Sequence, residues 1–247
     1  MNNFELEKII NKKLSSDQCE DIVPNGLQIE GQSEIKKIIT GVTACQELLN
    51  HALFYHADTI IVHHGYFWPN ESKYIHNMQR YRLKTILSNN INLYSWHLPL
   101  DIHPHLGNNA QIAKKLNICV QGYILPYVLW GNMNNDVTGN ELFKIIEKKF
   151  KKSPIHFYKN APHNIHRIAW CSGKGQGFIK HAYKFGIDAF LTGEISEETI
   201  HIAAELKIHF FSLGHHITEK DGIKSLGAWL EKKYNLDVKF INIDNPA

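Results

Sequence analysis

Short apolar runs alternate with longer segments of helical periodicity along most of the chain. The apolar run at residues 58–62 (DTIIV) precedes a predicted helix at residues 75–90, which leads into a second apolar run at residues 91–96 (INLYSW). Such alternation favours a parallel sheet, because two parallel strands need a crossover of about a dozen or more residues between them. The sequence therefore predicts an α/β fold with mixed, largely parallel sheets flanked by helices.

The same pattern predicts the other elements of the chain. Helices are predicted from apolar residues that recur every three or four positions, and strands from apolar runs that end in turn residues. The predicted helices cover residues 4–14, 46–57, 178–185, 197–206 and 221–233. The predicted strands cover residues 36–42, 166–173, 188–194 and 208–216, and residues 24–31 (PNGLQIEG) are predicted as a turn-rich stretch.

Segments of the first half recur in the second half in the same order. Two pairs of segments lie 130 positions apart, and a third pair lies 118 positions apart. The paired segments start at Lys37 and Arg167, at Asp58 and Asp188, and at His97 and His215. We therefore predict two related α/β halves, residues 1–122 with the HH and HLPLD motifs and residues 123–247 with the LTGE and GHHITE motifs.

Composition places the chain among ordinary globular proteins. Hydrophobic residues make up 43% of the sequence, and the net charge of +3 does not by itself indicate a nucleic-acid partner. The N-terminal segment MNNFELEKII is too polar for a signal peptide, and no apolar run approaches membrane-spanning length. None of the four cysteines lies at CxxC spacing, so we expect reduced, mostly buried thiols. Together these features predict a cytoplasmic protein without a membrane partner.

Metal-type side chains follow three of the predicted strands. They are His63 and His64 after TIIV, His97 and Asp101 after NLYSW, and His215 and Glu219 after HFFSL. Because ligands bind beyond the carboxyl ends of strands in open α/β sheets, these side chains are expected to converge. Imidazole and carboxylate together suit zinc, iron, manganese, nickel or cobalt. We therefore predict a metal site with His63, His64, Asp101, His215 and Glu219 as ligands.

The spacing of these residues favours two divalent ions per chain. Adjacent residues on an extended strand point in opposite directions, so one ion would rarely take both His63 and His64. One turn of helix would bring His215 and Glu219 to one face, from which Glu219 could bridge two ions about 3.5–4 Å apart. The role of His97 stays open between a ligand, a residue that orients a ligand, and a proton shuttle.

Two further segments each have a functional and a structural interpretation. Residues 172–177 (SGKGQG) lie between a strand and a helix, where they would cradle an anion or simply form a tight turn. The aromatic residues 66–68 (YFW) would line a pocket and stack on a base, or would belong to a covered loop.

The motifs PNGLQIEG, HHGYFW, HLPLDIH, LTGE and GHHITE, in this order, resemble the GTP cyclohydrolase 1 type 2 homologue (YbgI-like) family. The resemblance covers the chain from about Asn25 to Glu219. It implies a two-domain α/β fold, a dinuclear metal centre on the five ligands named above, and a ring-shaped homohexamer. Many members have proline after the paired histidines where this chain has Gly65, which affects the stiffness of the loop and leaves the ligands unchanged.

Two functions of different class are compatible with these features. The first is a metal-dependent hydrolase acting on a nucleotide or related heterocycle, in which His97 or Glu194 moves protons. The second is a non-catalytic ring-shaped assembly that recruits a protein or single-stranded nucleic acid, whose binding would show a steep salt dependence without turnover. The sequence favours the hydrolase, because open two-metal sites commonly activate water.

Overall fold

The computed structural model of the protein describes all residues from Met1 to Ala247. The chain forms two compact units, residues 1–107 with 222–244 and residues 108–221 with 245–247. This division differs from the halves 1–122 and 123–247, because the end of the chain returns to the first unit and adds a strand to its sheet. The halves 1–122 and 123–247 therefore remain a prediction drawn from the repeated segments of the sequence.

The elements follow one another as alternating helices and strands. Up to residue 107 they are α1 (Asn3–Leu14), β1 (Gly26–Ile29), β2 (Lys37–Thr43), α2 (Gln46–Phe54), β3 (Thr59–His64), α3 (Asn77–Ser88), β4 (Asn92–Ser95) and α4 (Leu98–Ile102). Then come α5 (Asn108–Leu116), β5 (Ile118–Leu125), β6 (Val128–Thr138), α6 (Gly139–Phe150), β7 (Ile155–Phe157), β8 (Asn164–Cys171), α7 (Ile179–Lys184), β9 (Ala189–Thr192), α8 (Glu197–Leu206), β10 (His209–Ser212), α9 (His215–Tyr234) and β11 (Asp237–Phe240).

Each unit is built on one mixed sheet flanked by helices, which confirms the predicted fold class. The first sheet has the strand order β1-β4-β3-β2-β11, and only the β1–β4 pair is antiparallel. The second sheet has the order β5-β6-β8-β9-β10-β7, with β8, β9 and β10 parallel and the outer pairs antiparallel. Each unit contains two clusters of buried apolar side chains.

The internal repeat of the sequence is matched by equivalent hydrogen bonds from the backbone to two aspartates. The Asp58 carboxylate accepts hydrogen bonds from two consecutive backbone N–H groups, those of Lys36 and Lys37. Asp188, 130 positions later, accepts hydrogen bonds from the backbone N–H groups of His166 and Arg167, which lie 130 positions after Lys36 and Lys37. The strand registers repeat as well, since Ile38 pairs with Thr59 and the equivalent positions of β8 and β9 pair in the second unit.

Several predicted boundaries need correction. The predicted helix over 197–206 is confirmed, but the turn-rich stretch 24–31 contains strand β1. The strand predicted over 208–216 ends at Ser212, because Gly214 adopts φ +104° and helix α9 already begins at His215. The four cysteines form no disulfide with one another, but only Cys171 is buried, so the expectation of mostly buried thiols is wrong. No helix is long and apolar enough to cross a membrane.

Candidate metal centre

The end of strand β3 holds His63 in a single orientation. Its side chain is fully buried, and its Nδ1–H donates a hydrogen bond to the Trp96 carbonyl at 3.0 Å. The other ring nitrogen, Nε2, therefore has its lone pair available for a ligand bond. That nitrogen lies 3.4 Å from the Asp101 carboxylate oxygen Oδ2. Two ligand atoms on one tetrahedral ion stand roughly 3.4 Å apart, so this pair has the spacing of metal ligands.

Asp101 reaches His63 because the HLPLD segment folds into a short helix. Helix α4 starts directly after His97, and the backbone N–H groups of Leu100 and Asp101 both donate to the His97 carbonyl. Pro99 lies in the first turn, where its missing N–H would have no partner within the helix. The turn leaves Asp101 only 6% exposed.

His64 and His97 lie close to His63. The candidate ligand atoms of the three histidines all lie within 4.8 Å of one another. The ring centroids of His63 and His64 are 4.6 Å apart, so the expectation that the two adjacent rings point apart is wrong. Strand β3 pairs with β4 only as far as Val62, whereas its pairing with β2 continues to His64. The first unit thus carries a cluster of histidines that could hold a metal ion.

His97 is anchored by a carboxylate that the sequence analysis missed. Asp21 lies 3.0 Å from His97 Nδ1 and also accepts hydrogen bonds from the Asn25 amide and the Leu98 backbone N–H. Burial raises the pKa of Asp21, but the hydrogen bonds from His97 and Asn25 outweigh it and lower the pKa to about 2. The 76 positions between the two residues carry no sequence signal. The contact arises because β1 pairs antiparallel with β4.

The second unit carries a histidine–carboxylate pair at the start of α9. His215 Nε2 lies 3.0 Å from Glu219 Oε2, which confirms that one helical turn brings both side chains to one face. The other nitrogen, Nδ1, lies 2.7 Å from Glu194 of the LTGE motif. Burial lowers the pKa of His215, but Glu219 and Glu194 outweigh burial and raise that pKa to about 9. The pair has the composition and spacing of metal ligands.

The glycine-rich turn packs against this pair. Gly173 has φ +58°, and a Cβ built there would overlap Glu219 Oε1 and lie 3.1 Å from His215 Nε2. Its backbone N–H donates to Thr218 Oγ1, and that of Gly175 donates to Thr192 Oγ1. Because these two N–H groups already have protein acceptors, the structure supports a tight turn over an anion cradle.

The aromatic segment after the paired histidines divides between core and surface. Tyr66 is 9% exposed and donates its hydroxyl hydrogen to the Ala44 carbonyl. Trp68 is half-buried, and its indole meets the His64 ring edge-on with centroids 5.8 Å apart. Phe67 is 51% exposed. Tyr66 therefore belongs to the core of the first unit, and Trp68 belongs to the surroundings of the histidine cluster.

Both clusters fit metal ions by their own chemistry. Each combines imidazole with carboxylate, and in each a ring nitrogen lies 3.0–3.4 Å from a carboxylate oxygen. In each, the second ring nitrogen of the histidine is engaged by a carbonyl or carboxylate, as is usual for histidines that bind metals.

The match to a family model covers residues 1–246, and its description reads Duf34/NIF3 (NGG1p interacting factor 3). The chain belongs to the Duf34/NIF3 family. A protein of Buchnera aphidicola subsp. Acyrthosiphon pisum (strain APS) is 76% identical, and an Escherichia coli K12 protein is 53% identical, each over the full length of both chains. Both are named GTP cyclohydrolase 1 type 2 homolog, which confirms the resemblance drawn from the motifs.

A solved structure of this Duf34/NIF3 type is similar over its whole length. The protein described as ybgI, of unknown function, is 53% identical and superposes with a TM-score of 0.99, with 100% of each chain covered. A second structure, of a Thermus thermophilus protein, is 28% identical with a TM-score of 0.91 and the same coverage. The fold is thus that of the family.

Proposed function

We propose that this chain is a metal-dependent hydrolase that acts on a nucleotide or related heterocycle. Two divalent ions per chain, drawn from zinc, iron, manganese, nickel and cobalt, would be held by the five residues His63, His64, Asp101, His215 and Glu219. The chain would assemble as a homohexamer. The substrate class accords with the name of the relatives, GTP cyclohydrolase 1 type 2 homolog.

The observation that carries the proposal is the fixed orientation of two histidines. His63 gives its Nδ1–H to a carbonyl and His215 directs its Nδ1 at Glu194. Each then presents Nε2 beside a second carboxylate, at 3.4 Å and 3.0 Å. Histidines that bind metals usually have their non-ligating nitrogen held by a carbonyl or carboxylate in this way, which supports a ligand role for both residues.

The number of donors supports two ions. Two ions share five ligands when a carboxylate bridges them, and the coordination positions that remain are open to water and substrate. In this proposal Glu219 would be the bridging carboxylate; it is 3% exposed and lies beside His215 and the Gly173 turn.

The chain's own residues would bind substrate and move the proton. Two bound divalent ions would supply a water of lowered pKa and would polarise the electrophilic atom of the substrate. His97 would take up and return the proton at Nε2, because its Nδ1 is held by Asp21 at 3.0 Å. The Asp21 carboxylate, whose pKa is lowered to about 2, stays ionised at neutral pH and holds the His97 imidazole in one orientation.

Metal analysis combined with a hydrolase screen tests the proposal. Protein purified without added metal is analysed for metals, loaded with those found, and assayed on nucleotides, phosphoesters, amides and cyclic amidines. We expect turnover that requires metal and disappears in Asp101→Ala and Glu219→Ala variants that stay folded. Fully metallated protein that turns over none of these compounds would contradict the enzyme and favour the non-catalytic assembly.

A further inference from the structure

A large cavity lies within the first unit, between the segment after the paired histidines and helix α3. Its volume is about 810 Å³, within the range usual for small-molecule sites. Most of its surface is apolar or aromatic. The apolar and aromatic part of the wall includes Tyr66, Trp68, Tyr74, Ile75 and Met78, and Arg82 also lines the cavity.

The cavity adjoins the histidine cluster through Trp68. The Trp68 indole meets the rings of His64 and His97 edge-on, with centroids 5.8 Å and 5.2 Å away. Its Nε1–H donates to the Gly65 carbonyl at 3.2 Å, which fixes the indole to the end of the HHG motif. A ligand ring in contact with Trp68 would therefore be separated from the histidine cluster by that one side chain.

Arg82 is the one guanidinium in the wall of this cavity, which Glu71 and Lys73 also line. Its Nε is buried without a hydrogen-bond partner, and Arg82 forms no ion pair. The nearby Glu71 carboxylate is engaged elsewhere, since it accepts the backbone N–H groups of Phe67 and Trp68 at 2.7 Å and 3.1 Å. A buried N–H donor without an acceptor costs free energy, and an anionic ligand group would remove that cost.

We propose that this cavity binds a planar aromatic ligand with an anionic substituent, a phosphate or a carboxylate. The ring would lie against Trp68, and Arg82 would hold the anion. This inference rests on the proposed function, because it assigns the substrate of the same site. It moves the anion contact from the glycine turn to Arg82, since the N–H groups of Gly173 and Gly175 already have protein acceptors.

Calorimetric titration of the metal-loaded full chain tests the inference without requiring turnover. The ligands are guanosine 5′-monophosphate, pterin-6-carboxylate and guanosine, so that phosphate, carboxylate and the uncharged ring are compared. The variants are Arg82→Met and Arg82→Lys. Arg80→Met is the matched control, because Arg80 is an exposed arginine of the same helix that does not line the cavity.

We expect Arg82→Met to weaken at least one anionic ligand by about ten-fold or more, while guanosine changes by less than about two-fold. Arg82→Lys should retain part of the affinity, and Arg80→Met should match wild type. The anionic ligand whose affinity falls in Arg82→Met identifies phosphate or carboxylate as the group that Arg82 holds. Equal losses in Arg82→Met and Arg80→Met, or no binding of either anionic ligand to wild type, would overturn the inference. The metal content of the same samples is a separate readout for the proposed function.

Discussion

Replacing Gly173 by alanine would displace the candidate metal ligand Glu219 while every candidate ligand residue stays unchanged. Gly173 has φ +58°, a backbone conformation that costs a residue with a side chain about 1–2 kcal/mol. The added Cβ would overlap Glu219 Oε1, so the carboxylate must move. Because a displaced carboxylate no longer meets the ion at its proper distance, we expect metal affinity to fall by about 10–100-fold.

The two effects can be measured separately. Thermal unfolding of the metal-free Gly173→Ala protein should show the backbone cost together with the cost of displacing Glu219, with a melting temperature lower by about 2–4 °C per kcal/mol. Competition with a chromophoric chelator should show the loss of metal affinity. Gly177→Ala is the matched control in the same turn, because a Cβ there meets nothing within 4 Å. Wild-type metal affinity in Gly173→Ala would refute the reasoning that Glu219 is a ligand in the position seen.

Three other predictions concern the protonation of His215, the role of His97 and the assembly implied by the family resemblance. The pKa of His215 in the metal-free protein is raised to about 9, so its positive charge stabilises the metal-free fold fully below about pH 6.5, and this stabilisation is lost as pH rises through about 9. Metal binding should therefore release a proton at pH 7.5, which calorimetry in buffers of different ionisation enthalpy measures. Glu194→Gln should reduce that release. His97→Ala and Asp21→Asn should keep wild-type metal content and lose about 10²–10⁴-fold in kcat, and loss of metal in either variant would reassign His97 as a ligand. Light scattering at micromolar concentration should give a mass several times 28.5 kDa, whereas a monomer at every concentration would exclude the ring.

The ligand candidates could be predicted from the sequence because each is tied to a local rule. His63 and His64 end an apolar run, and such a run predicts a strand whose carboxyl end lies at the ligand-binding edge of the sheet. His215 and Glu219 are four positions apart, and that spacing brings two side chains together whenever the segment is helical. In both cases the information lies within a few residues.

The contacts that could not be predicted depend on strand order. Asp21 meets His97 only because β1 pairs with β4 and not with β2, its neighbour in sequence. Strand β11 joins the first sheet beside β2, some 200 positions earlier, so the sequence halves and the packed units differ. The orphan Nε of Arg82 likewise depends on what lies around it in space. No local periodicity encodes such long-range pairings.

Counting the metal ions per chain tests most directly whether the five proposed ligands hold two divalent ions. Protein purified without added metal, then saturated with each divalent metal and desalted, is analysed by inductively coupled plasma mass spectrometry. The account predicts about two ions per chain in wild type, a loss of both in Glu219→Ala, and a loss of mainly one in His63→Ala. No bound ion in wild type after saturation, or full occupancy in Glu219→Ala, would contradict it.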